Sequence, residues 1–125
     1  VRELALCKAG FRCKYISRSS RLLEKSTVDQ KELSKLDAHD AREVLKQLPG
    51  VGNKVADCIL LFSGTKRDVF PTDVWVKRVM QELYFKEEAS LKKIEEFARS
   101  YFGEYVGFAQ QYLFYFAREN RIGAK

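Results

Sequence analysis

The stretch Leu48-Pro-Gly-Val-Gly-Asn-Lys-Val-Ala-Asp-Cys58 decides how this chain folds. Upstream of it, Ala41, Val44, Leu45 and Leu48 recur at the spacing of one helical face, and downstream Val55, Ala56, Ile59 and Leu60 do the same. Between them Pro49-Gly-Val-Gly52 breaks the first helix and turns the chain before Asn53 opens the second, which makes a helix-hairpin-helix. Gly50 and Gly52 permit the dihedrals of a sharp hairpin and leave no Cβ atoms between the amides and an incoming ligand. Amides exposed at a helix N-terminus attract anions, so the hairpin suits a phosphate whatever base it carries. An ordinary Pro-Gly connector would explain the turn alone. Pro-Gly-Val-Gly running into a helix with a basic first turn favours phosphate gripping.

Outward from the hairpin, helical periodicity continues. Asp37, with Asp40 three residues on, resembles a capping box for the helix before the hairpin. Asp73 sits at the N-cap of a helix whose face is Val76, Val79, Met80 and Leu83, and Ser90 to Phe102 forms another, stopped by Gly103. The last helix runs from about Tyr105 to Arg118, and Gly64 to Phe70 is a loop or short extended piece. Toward the N-terminus, a helix from Val1 to Lys8 ends at Ala9-Gly10, and Tyr15, Ile16, Ser19, Leu22 and Leu23 mark a second stripe. Phe11 and Arg12 lie in the turn between these two basic helices, and Ser26 to Leu36 is a polar connector with a short helix. No segment alternates with period two, so residues 1–125 read as one all-α domain of six or seven helices.

A chain of 125 residues that is 46% hydrophobic, with nine Phe, six Tyr and one Trp, can bury a core. No apolar run reaches the roughly 18 residues that span a bilayer, so no membrane partner is expected. The chain opens at Val1 in helix-like sequence, which suggests a fragment of a longer protein. Its formal charge is +6, concentrated in residues 1–25, where seven Lys and Arg face only Glu3 and Glu24. A local basic face fits either an anionic polymer such as nucleic acid or a solvated helical surface. Cys7, Cys13 and Cys58, with His39 as the one histidine, cannot close a zinc or iron-sulfur site or a disulfide framework. They read as reduced thiols of a cytosolic or nuclear compartment, and no metal is expected.

Lys54 is placed against the grain, because a cation in a helix's first turn opposes the macrodipole. It reads either as a phosphate-binding surface lysine or as an amine nucleophile able to attack a sugar C1′ and pass to a Schiff base. Asp73 reads as a helix cap and also as a carboxylate rigid enough to stabilise a developing oxocarbenium; spacing does not choose between them. Lys54 and Cys58 are four residues apart, as are Gln110 and Phe114, so each pair shares a helix face. An amide and an aromatic on one face suit a flipped base, although a core Phe and a surface Gln are the simpler reading. Phe11 and Arg12 fit a stacking wedge with a base-edge or phosphate contact, or an ordinary turn, and His39 fits a surface position.

Four segments together resemble one family, the helix-hairpin-helix base-excision DNA glycosylases, and within it the 8-oxoguanine DNA glycosylase/lyase branch. Leu48 to Cys58 is similar to that branch's hairpin and catalytic lysine, and Val69-Phe-Pro-Thr-Asp-Val74 to its aspartate loop. Gly10-Phe-Arg-Cys-Lys-Tyr15 resembles its wedge loop, and Gly107-Phe-Ala-Gln-Gln-Tyr-Leu-Phe114 its base-pocket helix. The resemblance implies that Lys54 displaces the damaged base and forms the Schiff base, with Asp73 in support and β-elimination nicking the strand. It implies that Gln110 and Phe114 bind and stack on extruded 8-oxoguanine, with Cys58 lining the pocket. Phe11 would wedge into the duplex and Arg12 would contact the orphaned cytosine. Gly50, Gly52 and Val55 would hold a phosphate; no cofactor is implied, and the hairpin carbonyls leave room for a monovalent cation. Trp75 stands where the best-known eukaryotic members carry a histidine that contacts the DNA, and Phe11 where a tyrosine is more usual. The family's N-terminal β-rich domain has no counterpart here, so the resemblance makes residues 1–125 a partial glycosylase domain. The expected partner is double-stranded DNA containing oxidised guanine, met by a monomer in a bacterial or archaeal cytoplasm or a eukaryotic nucleus.

Two rivals stay open beside it. Another glycosylase specificity is one, although pyrimidine-specific relatives usually carry four C-terminal cysteines and this C-terminus has none. A non-catalytic helix-hairpin-helix DNA-binding module is the other; it explains Gly50, Gly52 and the basic face but not the pairing of Lys54 with Asp73.

Overall fold

The computed structural model describes residues 2–25 and 28–123. Val1 of the first expected helix, and Ser26 and Thr27 of the expected connector, lie outside the described residues. Those residues hold eight α-helical segments and no strand, in agreement with the all-α reading. They divide into two compact units, the first up to Ala56 and the second from Asp57 onward.

In the first unit, α1 (Arg2–Leu6) ends at a turn in which Lys8 and Gly10 both take left-handed backbone angles. The turn leaves Phe11 at the start of α2 (Arg12–Lys25). The α2 stripe is mostly outward: Tyr15, Ile16, Leu22 and Leu23 are exposed, and Cys13 is the buried residue of the helix. Spacing located the stripe correctly, but spacing alone does not say what covers it. α3 (Gln30–Lys35) begins at Asp29, whose carboxylate accepts from the Lys31 amide at 3.1 Å. α4 (Ala38–Leu45) begins at Asp37, which accepts from the Asp40 amide at 2.8 Å. Ala41, Leu45 and Leu48 are buried, as the face before the hairpin predicts; Val44 of the same face is half-buried, and Ala38 is buried beside them.

α5 (Asn53–Phe62) begins in the first unit and ends in the second. Ala56 and Leu60 are fully buried on it, whereas Val55, expected to face inward, is 40% exposed. Val55 lies at the edge of the apolar stripe, in the first turn where the chain has just left the hairpin.

The second unit packs α6 (Val74–Met80), α7 (Leu91–Phe102) and α8 (Val106–Glu119) around Phe70, Val76, Val79, Met80, Ile94, Ala98, Val106 and Ala117. Ser90 caps α7 through the Lys93 amide at 3.2 Å, and Gly103 stops it at φ +54°. After Met80 the backbone winds as a π-helical turn over Gln81–Phe85, ended by Lys86 at φ +59°. This wider turn carries Leu83 round to an exposed position, where the α-helical period had placed it inside. Tyr84 instead enters a cluster with Phe97, Tyr101 and Phe102, its ring 5.5 Å, 5.5 Å and 5.8 Å from theirs. Burial there, with Tyr101 adding to it, raises the Tyr84 hydroxyl above the ordinary tyrosine value.

Candidate active site and nucleic-acid interface

The hairpin forms by successive tight turns. The Gln47, Leu48 and Val51 amides donate to Val44, Leu45 and Leu48 carbonyls at 3.2, 3.1 and 3.1 Å, carrying the chain off the end of α4. Gly50 then takes φ +80°, and its missing side chain is filled by a neighbour: a Cβ there would sit 2.6 Å from the Tyr15 ring. Gly52 accepts the first α5 bond from the Ala56 amide at 2.9 Å, so it is the N-cap, and it brings no side-chain oxygen to the first-turn amides. A Cβ at Gly52 would meet nothing within 4 Å. The amides of Asn53, Lys54 and Val55 thus open α5 beneath bare backbone, with Lys54 exposed beside them. A helix opening of this kind is suited to an anion, and it carries an amine in its first turn.

The two glycines predict different outcomes. Gly50→Ala meets both the left-handed backbone and the Tyr15 ring, and it is expected to destabilise the protein by about 2 kcal/mol. Gly52→Ala meets neither and should leave the urea midpoint close to the parent's. Equal midpoints for the two variants would show that Tyr15 yields without cost.

At the other end of the first unit Phe11 is 71% exposed. Arg12 lays its guanidinium 4.8 Å from the Phe11 ring centre, and Tyr15 meets the same ring edge-on at 6.2 Å. Phe11, Tyr15 and Gly50 therefore form one line of contacts from the exposed ring to the hairpin. The sequence gives roles to Phe11 and Arg12 and places Tyr15 only in the α2 stripe and at the end of the wedge-loop segment. Its signal was present in the i, i+4 spacing from Phe11.

In the second unit Asp73 is the N-cap of α6, as expected. Its Oδ1 accepts from both the Trp75 and Val76 amides at 2.9 Å. The other carboxylate oxygen takes no part in the cap, so the group is fixed in place and still has an acceptor to offer. Trp75 is half-buried under the Arg78 guanidinium, 5.5 Å from its ring. Cys58 is half-buried on α5, one turn beyond Lys54.

Gln110 is the clearest correction to the simpler sequence reading, which made it a surface residue. It is 4% exposed, and its amide is accommodated by hydrogen bonds on both sides. Its Nε2 donates to the Pro71 carbonyl at 2.8 Å, and its Oε1 accepts from Gln111 Nε2. Phe114, one turn further on, is half-buried against the core, with the Arg118 guanidinium 5.7 Å from its ring. The structure thus joins the helix of Gln110 and Phe114 to Pro71, two residues before Asp73.

Gly107 makes this approach close. Its amide donates to the Arg67 carbonyl at 3.1 Å, and a Cβ would lie 2.6 Å from both that oxygen and Leu61 Cδ1. Neither Gly107 nor Gln111 carried a role in the sequence reading, because each acts through a neighbour distant in sequence or through a side chain that only folding orients.

Among the described residues, Asp37, His39 and Asp40 are the one group with metal-ligand spacing; all three are exposed, and Asp37 already serves as a cap. No described helix is long and apolar enough to cross a membrane.

No protein-family model matches the chain. A probable N-glycosylase/DNA lyase of Methanothermobacter thermautotrophicus is 41% identical over 120 residues, covering 96% of this chain and 38% of the relative. The structure of MBOgg1 with a low-affinity DNA ligand matches 96% of this chain and 42% of its own, with TM-score 0.88 and 41% identity. The Clostridium acetobutylicum 8-oxoguanine glycosylase/lyase, bound to double-stranded DNA with cytosine opposite 8-oxoguanine, matches 97% of this chain and 42% of its own, with TM-score 0.87 and 45% identity. The chain therefore spans about two fifths of these proteins. At this identity, with the helices superposing over nearly all of its length, it is a homologue of the 8-oxoguanine DNA glycosylase/lyases.

Proposed function

We propose that this chain supplies the nucleophile and part of the base pocket of a DNA glycosylase with AP lyase activity, acting on 8-oxoguanine opposite cytosine. The observation that carries this reading is the hairpin: it ends in a cap without a side chain and is followed, two residues on, by an exposed Lys54. In a phosphate-binding module the amides suffice. A lysine added to that first turn puts an amine next to the deoxyribose of the nucleotide whose phosphate the amides hold.

The chemistry follows from the groups present. The Lys54 amine attacks C1′ and the glycosidic bond breaks, its electron pair leaving with the base, which takes up a proton. The sugar ring opens as the amine becomes a Schiff base, and the resulting iminium acidifies the C2′ proton. Loss of that proton expels the 3′ phosphate and nicks the strand. Asp73, held by two amides with one oxygen to spare, is the group to stabilise the positive charge that develops on the sugar. Gln110 and Phe114 read and stack on the extruded base beside Cys58, while Phe11 and Arg12 occupy the duplex and Trp75 lies along the backbone. A monovalent cation on the hairpin suits the donors available: residues 48–52 offer neutral carbonyl oxygens and no carboxylate.

Borohydride trapping of the full-length protein on a duplex with 8-oxoguanine opposite cytosine tests the reading. A covalent adduct that needs both Lys54 and the lesion is the expected result; tight binding without an adduct would favour a non-catalytic module. Asp73→Asn separates the two duties of that residue. Asparagine caps a helix as well as aspartate does, so stability should stay within about 0.5 kcal/mol of the parent. Excision should fall about 100-fold, since a neutral amide cannot offset a developing cation. Full activity in Asp73→Asn would reduce Asp73 to a cap.

A further inference from the structure

We propose that the outward face of α8 is a docking surface for the protein's own polypeptide: in the full-length protein it is covered by a segment from outside residues 1–125. About three fifths of the length of the relatives lies beyond the part that matches this chain, which is the source of such a segment.

α8 is apolar on two sides. Its inner side, with Val106, Leu113 and Ala117, is buried in the second unit. Its outer side presents Tyr112, Tyr115 and Phe116 at the spacing of one helical face, with Glu119 a turn further on. These rings face outward: Tyr112 is 78% exposed and Tyr115 66%. Leu83 stands beside them, and together with Leu113 they line a groove of about 420 Å³. Large aromatic side chains gathered in one exposed patch mark a surface that something covers.

The π-helical turn over Gln81–Phe85 is a second, independent sign. An α-helical continuation of α6 would have turned Leu83 inward; the wider turn sets it against the aromatic face instead. For the described residues alone that exposure is a loss. It becomes a gain once apolar atoms fill the groove.

The lining selects the occupant. A duplex or an anionic membrane surface calls for Lys or Arg, and among the described residues Glu119 is the one charged side chain lining the groove. Tyrosine rings beside leucines suit packed polypeptide, which can cover the rings and leave the hydroxyls at the rim. The face is also short: Tyr112 to Glu119 spans about two turns of one helix, whereas a stable contact between separate molecules buries about 1,200 Å² or more. A segment of the same chain needs less area, because the connection itself sets its local concentration.

The test is hydroxyl-radical footprinting of the full-length protein without DNA, read by mass spectrometry at Tyr112 and Tyr115. Each rate is divided by the rate of the same residue in the unfolded chain, so intrinsic reactivity cancels. Left open, tyrosines this exposed would react at nearly the unfolded rate; covered, they are expected to react about tenfold more slowly at every protein concentration. Rates close to those of the unfolded chain overturn the proposal. So does protection that is lost on dilution, which would make the occupant a second copy, and protection that appears only when duplex is added. Photo-crosslinking from Tyr112→p-benzoylphenylalanine in the full-length protein identifies the occupant. The expected crosslink is intramolecular and reaches a residue outside 1–125; a crosslink confined to residues 1–125 overturns the assignment.

Discussion

Replacing Lys54 with glutamine in the full-length protein is expected to lower excision of 8-oxoguanine by about 10⁴-fold or more while leaving affinity for the duplex within a few-fold. The asymmetry follows from where the residue sits. On the proposed reading the amides of Asn53, Lys54 and Val55 would hold a phosphate through backbone, which the substitution does not touch, and Gly52 adds no side chain that could interfere. Glutamine is neutral and fills nearly the same volume, so the exposed first turn of α5 accepts it. What would disappear is the amine proposed to attack C1′, and with it both the glycosidic step and the Schiff base required for strand cleavage. Single-turnover excision and a duplex-binding titration on the same preparation check the two halves. Retained excision would remove Lys54 from the mechanism; binding lost in parallel with excision would make it a phosphate contact instead.

Gly107→Ala is expected to destabilise the protein by about 2 kcal/mol and to lower excision further than the stability loss explains. Alanine normally improves a helix by about 1 kcal/mol over glycine. Here its Cβ would be driven to 2.6 Å from the Arg67 carbonyl oxygen and from Leu61 Cδ1, and overpacking against backbone has few ways to relax. α8 must back away from the loop that precedes α6. Gln110 lies one turn further along α8 and donates to the Pro71 carbonyl of that loop, so the retreat stretches the bond that orients the amide proposed to read the base. A denaturant midpoint that stays the same or rises in Gly107→Ala would show that the two segments are not held at this distance. A midpoint that falls while the excision rate, corrected for folded fraction, stays at the parent's would uncouple the approach from the pocket.

Much of this was legible in the sequence, for identifiable reasons. Asp37, Asp73, Ser90 and Gly103 punctuate helices by local chemistry, a side chain or a backbone angle acting within three residues, and each was found at its expected terminus. The hairpin was legible for the same reason. Less legible were positions whose environment is set from far away. Periodicity identifies an apolar stripe without its edges, so Val55 and Leu83 were placed inside although both are exposed. The π-helical turn that moves Leu83 has no composition of its own. For Gln110 the residue type alone favours the surface, because a glutamine is ordinarily solvated, and only the family resemblance puts it in a pocket; its burial depends on a carbonyl 39 residues away. Gly107 resembles any glycine near a helix start, and only the Arg67 carbonyl shows that space, not conformation, is what it provides.

The contact between Tyr15 and Gly50 has a mechanical consequence. The ring fills the place of the missing side chain at one end and meets Phe11 at the other, so one aromatic links the exposed ring to the hairpin. If a duplex seats its backbone on the hairpin amides as proposed, that link would set how deeply Phe11 enters the stack. Grip and probe would then act as a gauge: a well-stacked site would resist the ring, and a site already weakened would admit it before any bond is broken.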